Sequence, residues 1–174
     1  MYSEPGHGSL FRVYVPVLEG TLAESGGEKA PAPSLAELRG TETILLAEDH
    51  ESIREMSRQA LLSMGYRVLS ACDGQEAVKL CSHETPALAI LDVIMPKLGG
   101  PGTAASLLKM FPDLPIVFTS GYSADASELP VEGAKARYLQ KPYSPTTLRR
   151  LVRETLDQYR AESRTQGSKA KSRP

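Results

Sequence analysis

Between residues 41 and 158, short apolar runs alternate with stretches in which apolar residues recur every three or four positions. The runs are typical of buried strands, and the recurring spacing is typical of helices that bury one face. The predicted strands cover residues 43–47, 66–71, 88–91, 116–119 and 136–140. Regular alternation of strands and helices predicts an α/β fold with a parallel sheet, right-handed crossovers and helices on both faces.

The helices between these strands have recognisable start and stop signals. They are predicted at residues 51–64, about 75–82, about 99–111 and 144 to about 159. Gly65 is a C-terminal stop, and Ser144-Pro145 combines an N-cap serine with a proline at the first helical position. Residues 123–134 stay ambiguous, because a proline and a glycine interrupt any helix there.

Composition divides the chain into four parts. Residues 1–18 contain one predicted strand, at 10–17, and residues 19–40 are rich in Gly, Ala, Pro, Ser and Glu, as linkers are. Residues 41–158 form the α/β domain. Residues 159–174 carry five basic side chains against one acid, and we expect a disordered basic tail.

Charge and hydropathy exclude several classes of partner. The chain has 174 residues and a net charge of −1, so no strong attraction to nucleic acid or to a membrane surface is expected. No apolar run approaches the roughly 20 residues of a membrane helix, and the first residues do not resemble a signal peptide. We therefore expect a cytoplasmic protein without membrane contact, in which Cys72 and Cys81 are reduced and structural.

Polar side chains follow four of the five strands. Glu48-Asp49 follows the first strand, Asp92 the third and Lys141 the fifth, while Thr119 closes the fourth. Because the carboxyl ends of parallel strands meet at one edge of a sheet, we expect these side chains to lie together. Carboxylates are hard ligands that suit Mg²⁺, an aspartate is a possible nucleophile, and a lysine can pair with phosphoryl oxygens. The set predicts a site that places a phosphoryl group on Asp92.

Each residue also has a structural explanation when it is taken alone. Glu48 and Asp49 could cap a helix, Asp92 could be a turn residue, Thr119 a β-branched strand residue and Lys141 a solvated surface lysine. His50 follows the acidic pair, and we expect it to face solvent at the start of a helix. Only the combination of these residues, in this order and after these strands, indicates a site for phosphoryl transfer.

The combination resembles the receiver domains of bacterial two-component response regulators over residues 42–158. The matching positions are Glu48-Asp49, Asp92, Met95-Pro96, Gly100, Thr119-Ser120-Gly121, Tyr138 and Lys141-Pro142. The resemblance implies a flavodoxin-like, doubly wound sheet of five parallel strands in the order 2-1-3-4-5. It also implies that Asp92 is the phosphoacceptor of a phosphorelay.

The same resemblance implies roles for the surrounding groups. Mg²⁺ or Mn²⁺ would be held by the carboxylates of Glu48, Asp49 and Asp92 and by the backbone carbonyl of Ile94. Phosphoryl oxygens would accept hydrogen bonds from Lys141, from the Thr119 hydroxyl and from the backbone amide of Val93. Thr119 and Tyr138 would form the conformational switch, and the Lys141-Pro142 peptide bond would be cis.

A second, shorter resemblance lies in residues 3–16. There Gly6-His7-Gly8-Ser9-Leu10-Phe11 resembles the Gly-x-Gly-Ser/Thr-x-Phe loop that closes the ATP-binding domain of histidine kinases. It implies a hybrid histidine kinase whose receiver follows the kinase through a linker. The phosphoryl donor would then be a phosphohistidine, on that kinase or on a histidine phosphotransfer protein.

Two other functions remain open at this point. A phosphatase of the haloacid dehalogenase type also uses an aspartate nucleophile, but it needs a second acid two positions later, where this chain has Ile94. A receiver-like interaction module that is never phosphorylated would use the same fold without the chemistry. The receiver itself would be a phosphoacceptor with at most slow autodephosphorylation, so the sequence leaves enzymatic activity uncertain.

Overall fold

The computed structural model describes the backbone of residues 2–4, 8–10, 38–121 and 136–170. The chain forms two compact units, residues 1–32 and 33–174. In the first unit, strands β1 (Tyr2–Glu4) and β2 (Gly8–Leu10) pair in antiparallel fashion, with Tyr2 opposite Leu10. Several predictions fall outside the described residues: most of the strand at 10–17, most of the linker at 19–40 and the ambiguous stretch at 123–134.

The second unit is a five-stranded parallel sheet flanked, in its described part, by four helices. Its elements are β3 (Thr43–Ala47), α1 (Glu51–Leu62), β4 (Arg67–Ala71), α2 (Gly74–Cys81), β5 (Leu88–Asp92), α3 (Gly100–Met110), β6 (Ile116–Ser120), β7 (Ala136–Gln140) and α4 (Pro145–Ala170). The strands lie in the order β4-β3-β5-β6-β7. This order confirms the predicted flavodoxin-like topology.

Burial explains why the strands of the sheet could be predicted from the sequence. Every residue of β5 and β6, two of the three inner strands, is buried, as expected for strands covered on both faces. Alternate strand residues belong to two apolar clusters: Ile90 lies with Leu61 of α1 and Leu148 of α4, whereas Leu91 lies with Leu107 of α3. The sheet is therefore fixed from both sides, which holds the loops at its carboxyl edge.

The last helix is longer than predicted. We expected it to end near Tyr159, but α4 continues to Ala170, so the part of the expected disordered tail up to that residue is helical. Arginine, alanine and glutamate at 160–162 are good helix formers. The side chain of Gln158 donates to the carboxylate of Glu162 one turn later, at 3.2 Å.

The packed unit begins slightly before the predicted boundary at residue 41. Leu38 is buried, and its carbonyl accepts a hydrogen bond from the Tyr66 hydroxyl at 3.2 Å. The Gly40 amide donates to the Met64 carbonyl at 3.0 Å. The end of the predicted linker is therefore part of the folded unit.

A carboxylate near this entry point gives a test of stability against pH. The Glu42 carboxylate pairs with Arg153 at 3.1 Å and with Arg160 at 2.6 Å. Burial alone would raise the pKa of Glu42, but a backbone hydrogen bond and the two arginines outweigh it and lower the pKa below the ordinary 4.5. Its stabilising contribution is therefore present above pH 4.5 and is lost as the pH falls through the lowered pKa.

We expect Glu42→Gln to lower the free energy of unfolding at neutral pH by about 1–3 kcal/mol, the range for a buried charged hydrogen bond. The difference from wild type should disappear in acid, and urea unfolding at both pH values measures it. Glu154→Gln is a matched control, because Glu154 pairs with Arg137 on the exposed surface. A deficit that persists unchanged in acid would contradict the assignment.

Candidate functional site

The sheet topology gathers the predicted site residues at one edge. Glu48 and Asp49 directly follow β3, and Asp92 is the last residue of β5. Thr119 lies beside Asp92 in the β5–β6 register, and Lys141 directly follows β7. Four strands thus deliver a hydroxyl, an ammonium group and three carboxylates to the same place.

Lys141 joins two of these carboxylates. Its Nζ lies 2.7 Å from Asp92 Oδ2 and 2.7 Å from Glu48 Oε2. The exposed fractions of the three side chains are 16% for Lys141, 9% for Asp92 and 1% for Glu48. Hydrogen bonds between charged groups that are shielded from water are the strong ones, so this bridge fixes the geometry of the site.

The environment shifts the pKa values of the bridging groups. Burial raises the pKa of Glu48, and the nearby charge of Asp92 adds to the effect, while Lys141 opposes it. Burial alone would lower the pKa of Lys141, but its hydrogen bonds to Asp92 and Glu48 outweigh this and raise the pKa. The lysine therefore stays charged at neutral pH. Its one ammonium group lies at a site with three carboxylates, those of Glu48, Asp49 and Asp92.

These carboxylates fit a divalent cation. One oxygen from each of Glu48, Asp49 and Asp92 lies within 4.8 Å of the others, and Asp49 is exposed to solvent. All are hard oxygen ligands of the kind that Mg²⁺ and Mn²⁺ prefer. Because Lys141 neutralises only part of the charge, the donor set has the charge and chemistry to hold such an ion.

Thr119 adds an unused donor. Its side chain is 1% exposed, and its hydroxyl has no hydrogen-bond partner among the described residues. A buried polar group without a partner costs about 1–3 kcal/mol, and such groups deserve a functional explanation. Here the hydroxyl belongs to the residue that pairs with Asp92 in the sheet.

The prediction for the backbone amide of Val93 is wrong. This amide donates to the Thr119 carbonyl at 2.9 Å, because the chain continues the β5–β6 ladder one residue beyond Asp92. The next amide faces the site instead: Ile94 N lies 3.4 Å from Asp92 Oδ1. Counting the alternation of N–H directions past the end of the strand could have found this.

The remaining predictions have different outcomes. The Lys141-Pro142 peptide bond is cis, as predicted, and both cysteines are free thiols. His50 is exposed at the N-cap of α1. The carbonyl of Ile94 as a metal ligand stays a prediction.

The aromatic residue of the predicted switch is packed on the sheet. Tyr138 stacks on Phe118 of the neighbouring strand, with ring centroids 5.7 Å apart. Burial raises the pKa of its phenol. Phe118 directly precedes Thr119 in β6, so their side chains point to opposite faces of the sheet. A switching role for Tyr138 stays a prediction.

Sequence reasoning missed two supports of the site. Arg54 on α1 donates to the carbonyls of Glu48 and Asp49, at 2.7 and 3.0 Å, and so holds the backbone of the acidic pair. The Tyr143 hydroxyl lies 3.2 Å from Ser57 Oγ on the same helix, which ties the segment after Lys141 to α1. The Arg54 bonds are local, since they join residues five and six positions apart, whereas the Tyr143–Ser57 contact joins residues 86 positions apart and depends on tertiary packing.

Within the described residues, no helix combines the length and the apolar character needed to cross a membrane.

Comparison with known proteins agrees with this geometry. The sensor kinase CckA of Brucella abortus (strain 2308) is 34% identical over 166 residues, which cover 89% of this chain and 17% of the kinase. The probable transcriptional regulator ycf27 of Porphyridium aerugineum is 37% identical over 116 residues, which cover 66% of this chain and 48% of the regulator. The chain therefore spans about half, or much less, of the length of these curated relatives.

A solved structure shows the same fold. The CheY-like response regulator receiver domain protein from Methanospirillum hungatei JF-1 superposes with a TM-score of 0.64 at 28% sequence identity, over 71% of this chain and 99% of that chain. The family of response regulator receiver domains matches residues 44–153. This match covers well over half of the chain, so the chain belongs to the response regulator receiver domain family of two-component systems.

Proposed function

We propose that Asp92 accepts a phosphoryl group from a phosphohistidine in a reaction that requires Mg²⁺ or Mn²⁺. The observation that supports this best is the arrangement around Asp92. Its buried carboxylate is bonded to Lys141 at 2.7 Å and lies beside the unpartnered hydroxyl of Thr119. A nucleophile, a cation and an unused donor in one shielded place suit phosphoryl transfer, which depends mainly on positioning and charge neutralisation.

The transfer is a simple displacement. An oxygen of Asp92 forms a bond to phosphorus while the bond from phosphorus to the histidine nitrogen breaks, and the imidazole leaves with that electron pair. Lys141 turns from the carboxylate to a phosphoryl oxygen, and Thr119 Oγ1 donates to another. A divalent cation bound by Glu48, Asp49, Asp92 and the Ile94 carbonyl would offset the repulsion between the carboxylate and the phosphoryl oxygens.

The same atoms support a switch. A phosphoryl group adds substantial negative charge and new acceptors at Asp92. Movement of the Thr119 side chain towards these acceptors would free space next to the ring of Tyr138. The proposed response is a two-state change of Thr119 and Tyr138 that phosphorylation biases.

The parent protein is proposed to be a hybrid histidine kinase in the cytoplasm. The resemblance of residues 3–16 to the end of a kinase ATP-binding domain supports this, as does the similarity to a sensor kinase over 89% of the chain. The donor would be a phosphohistidine on that kinase or on a histidine phosphotransfer protein. The receiver would act as a relay or control element.

One incubation separates this function from its alternatives. The chain is mixed with Mg²⁺ and acetyl phosphate, and intact mass and released phosphate are followed over time. A receiver gains one labile phosphoryl group, and chelation of the metal prevents the gain. Continuous phosphate release without an adduct indicates a phosphatase, and the absence of both indicates an interaction module; either result overturns the proposal.

Thr119→Val should have opposite effects on stability and on function. Valine replaces a buried hydroxyl that has no partner among the described residues. The unphosphorylated protein should therefore be at least as stable as wild type, with a gain of at most about 3 kcal/mol. Phosphorylation should be slower, because one donor to the phosphoryl group is lost. Urea unfolding and intact mass measure the two effects, and Thr119→Ser is the control that keeps the hydroxyl. A variant that is destabilised but phosphorylated normally would contradict both roles.

A further inference from the structure

The segment between β5 and α3, residues 93–99, contains a strained residue. Lys97 has a φ of 64°, and it is the non-glycine residue with a positive φ among those described. The left-handed conformation costs a residue with a Cβ about 1–2 kcal/mol. Such a conformation persists only where neighbouring groups hold it. Part of the support is local, because the Leu98 amide donates to the Pro96 carbonyl at 2.8 Å and closes a three-residue turn around Lys97.

The side chain of Lys97 is held by a buried acid on another element. Its Nζ lies 2.5 Å from Oδ2 of Asp73, whose side chain is 4% exposed. The other oxygen of Asp73 accepts the amide of Glu76 at 2.9 Å and caps the N-terminus of α2. The acid is thus fixed by its own helix, and it provides a rigid anchor for a lysine from the loop.

The loop also touches α2 through its backbone. A Cβ added at Gly74 would collide with the carbonyl oxygen of Leu98 and with the hydroxyl of Thr103. That hydroxyl donates to the carbonyls of Gly99 and Leu98, at 2.9 and 3.3 Å. The C-terminal end of the loop is therefore docked on α2, and Lys97–Asp73 fixes its middle.

The same loop carries the peptide groups nearest to the phosphoacceptor. The Ile94 amide faces Asp92 Oδ1 at 3.4 Å, and the Ile94 carbonyl is the proposed fourth ligand of the metal. The Ile94 side chain is 65% exposed, so little packing of its own orients these groups. Their direction depends on the backbone conformation of the loop, three residues before Lys97.

We propose that the Asp73–Lys97 ion pair is a positioning device for this site. Together with the Pro96–Leu98 hydrogen bond, it holds Lys97 in the left-handed conformation and thereby aims the amide and carbonyl of Ile94 at the place where metal and phosphoryl group bind. Neither Asp73 nor Lys97 touches the reacting atoms. The predicted effect on metal binding rests on the proposed function. The predicted effect on the conformation of the loop does not depend on it.

Two substitutions at one position separate the ion pair from the strain. Lys97→Ala removes the pair but keeps the cost of the left-handed conformation, so the loop should relax. The exchange rate of the Ile94 amide in metal-free protein should rise about fivefold to tenfold, and Mg²⁺ affinity should fall by a similar factor. A change of this size is within the free energy that the left-handed conformation costs. Lys97→Gly removes the pair and the cost together, so both quantities should stay within about twofold of wild type.

Asp73→Asn completes the test, because asparagine still caps α2 but no longer pairs with a charged lysine. It should behave like Lys97→Ala, and urea unfolding verifies that every variant is folded. Equal behaviour of Lys97→Ala and Lys97→Gly, or an Ile94 amide unaffected by Asp73→Asn, would overturn the proposal. If wild type bound no Mg²⁺ and took no phosphoryl group, the proposed function would fail, while amide exchange would still decide the role of the ion pair.

Discussion

Asp92→Asn is expected to abolish uptake of the phosphoryl group from acetyl phosphate in the presence of Mg²⁺. The amide has no anionic oxygen to attack phosphorus, and the nearby carboxylate of Glu48 is 1% exposed and bonded to Lys141. The fold should survive, because the substitution removes a negative charge from a place where three carboxylates face one ammonium group. Intact mass after incubation measures the loss, and urea unfolding shows that stability is kept.

The matched control for this prediction is Asp113→Asn. Asp113 is an exposed aspartate in the segment between α3 and β6, at the opposite edge of the sheet. This variant should gain one phosphoryl group as wild type does. An adduct that persists in Asp92→Asn, located by peptide mass after trapping of the acyl phosphate, would show that another residue is the nucleophile.

The fold was predictable because its strands are buried on both faces. The apolar runs at 88–91 and 116–119 lie within β5 and β6, in which every residue is buried. The end of α4 was not predictable from the apolar pattern, because the helix beyond Tyr159 rests on helix propensity, on local pairs such as Gln158–Glu162 and on the ion pair of Arg160 with Glu42. Hydrophobic periodicity carries no information about such an extension.

The gathering of the site side chains was equally predictable. They follow the ends of parallel strands, and topology alone brings those ends together. The sequence could not predict the direction of groups that depend on a single peptide bond or on tertiary packing. The Val93 amide is bonded to Thr119 in the ladder, and the bond of Tyr143 to Ser57 joins positions 86 residues apart. The left-handed conformation of Lys97 gave no signal either, since lysine rarely adopts it.

Different elements of the fold hold different parts of the site. The sheet fixes Asp92 and Thr119, α1 fixes the acidic pair through Arg54, and α2 fixes the loop through Asp73. The charge of the site is still unbalanced, since among the described residues only Lys141 forms ion pairs with its carboxylates. Metal affinity and fold stability are therefore linked through one lysine, and its removal should have the largest effect on stability.

Lys141→Met should lower the free energy of unfolding of the metal-free protein by about 3 kcal/mol. This is the lower end of the range for breaking a buried ion pair, and we choose it because the lysine side chain is 16% exposed. Glu48 and Asp92 would then face each other without a cation. The deficit should shrink when Mg²⁺ is added, because the ion offsets the repulsion that Lys141 no longer neutralises and therefore stabilises the variant more than it stabilises wild type.

The pH dependence of the same variant has a definite sign. Burial and the charge of Asp92 already raise the pKa of Glu48, and loss of Lys141 removes the main group that opposes this rise and leaves the weaker backbone hydrogen bond from His50. Protonation in acid relieves the repulsion, so the deficit should be largest at neutral pH and should decrease as the pH falls through the raised pKa.

Two further variants show whether repulsion between the carboxylates is the cause. Lys141→Met combined with Glu48→Gln should recover most of the lost free energy, because only one of the two facing carboxylates remains. Lys109→Met, at an exposed lysine of α3, should change stability by less than about 0.5 kcal/mol. Urea unfolding with and without Mg²⁺ measures all four proteins. If the double variant is no more stable than Lys141→Met alone, the loss comes from packing of the lysine stem, and the carboxylates do not repel each other strongly enough to require a cation.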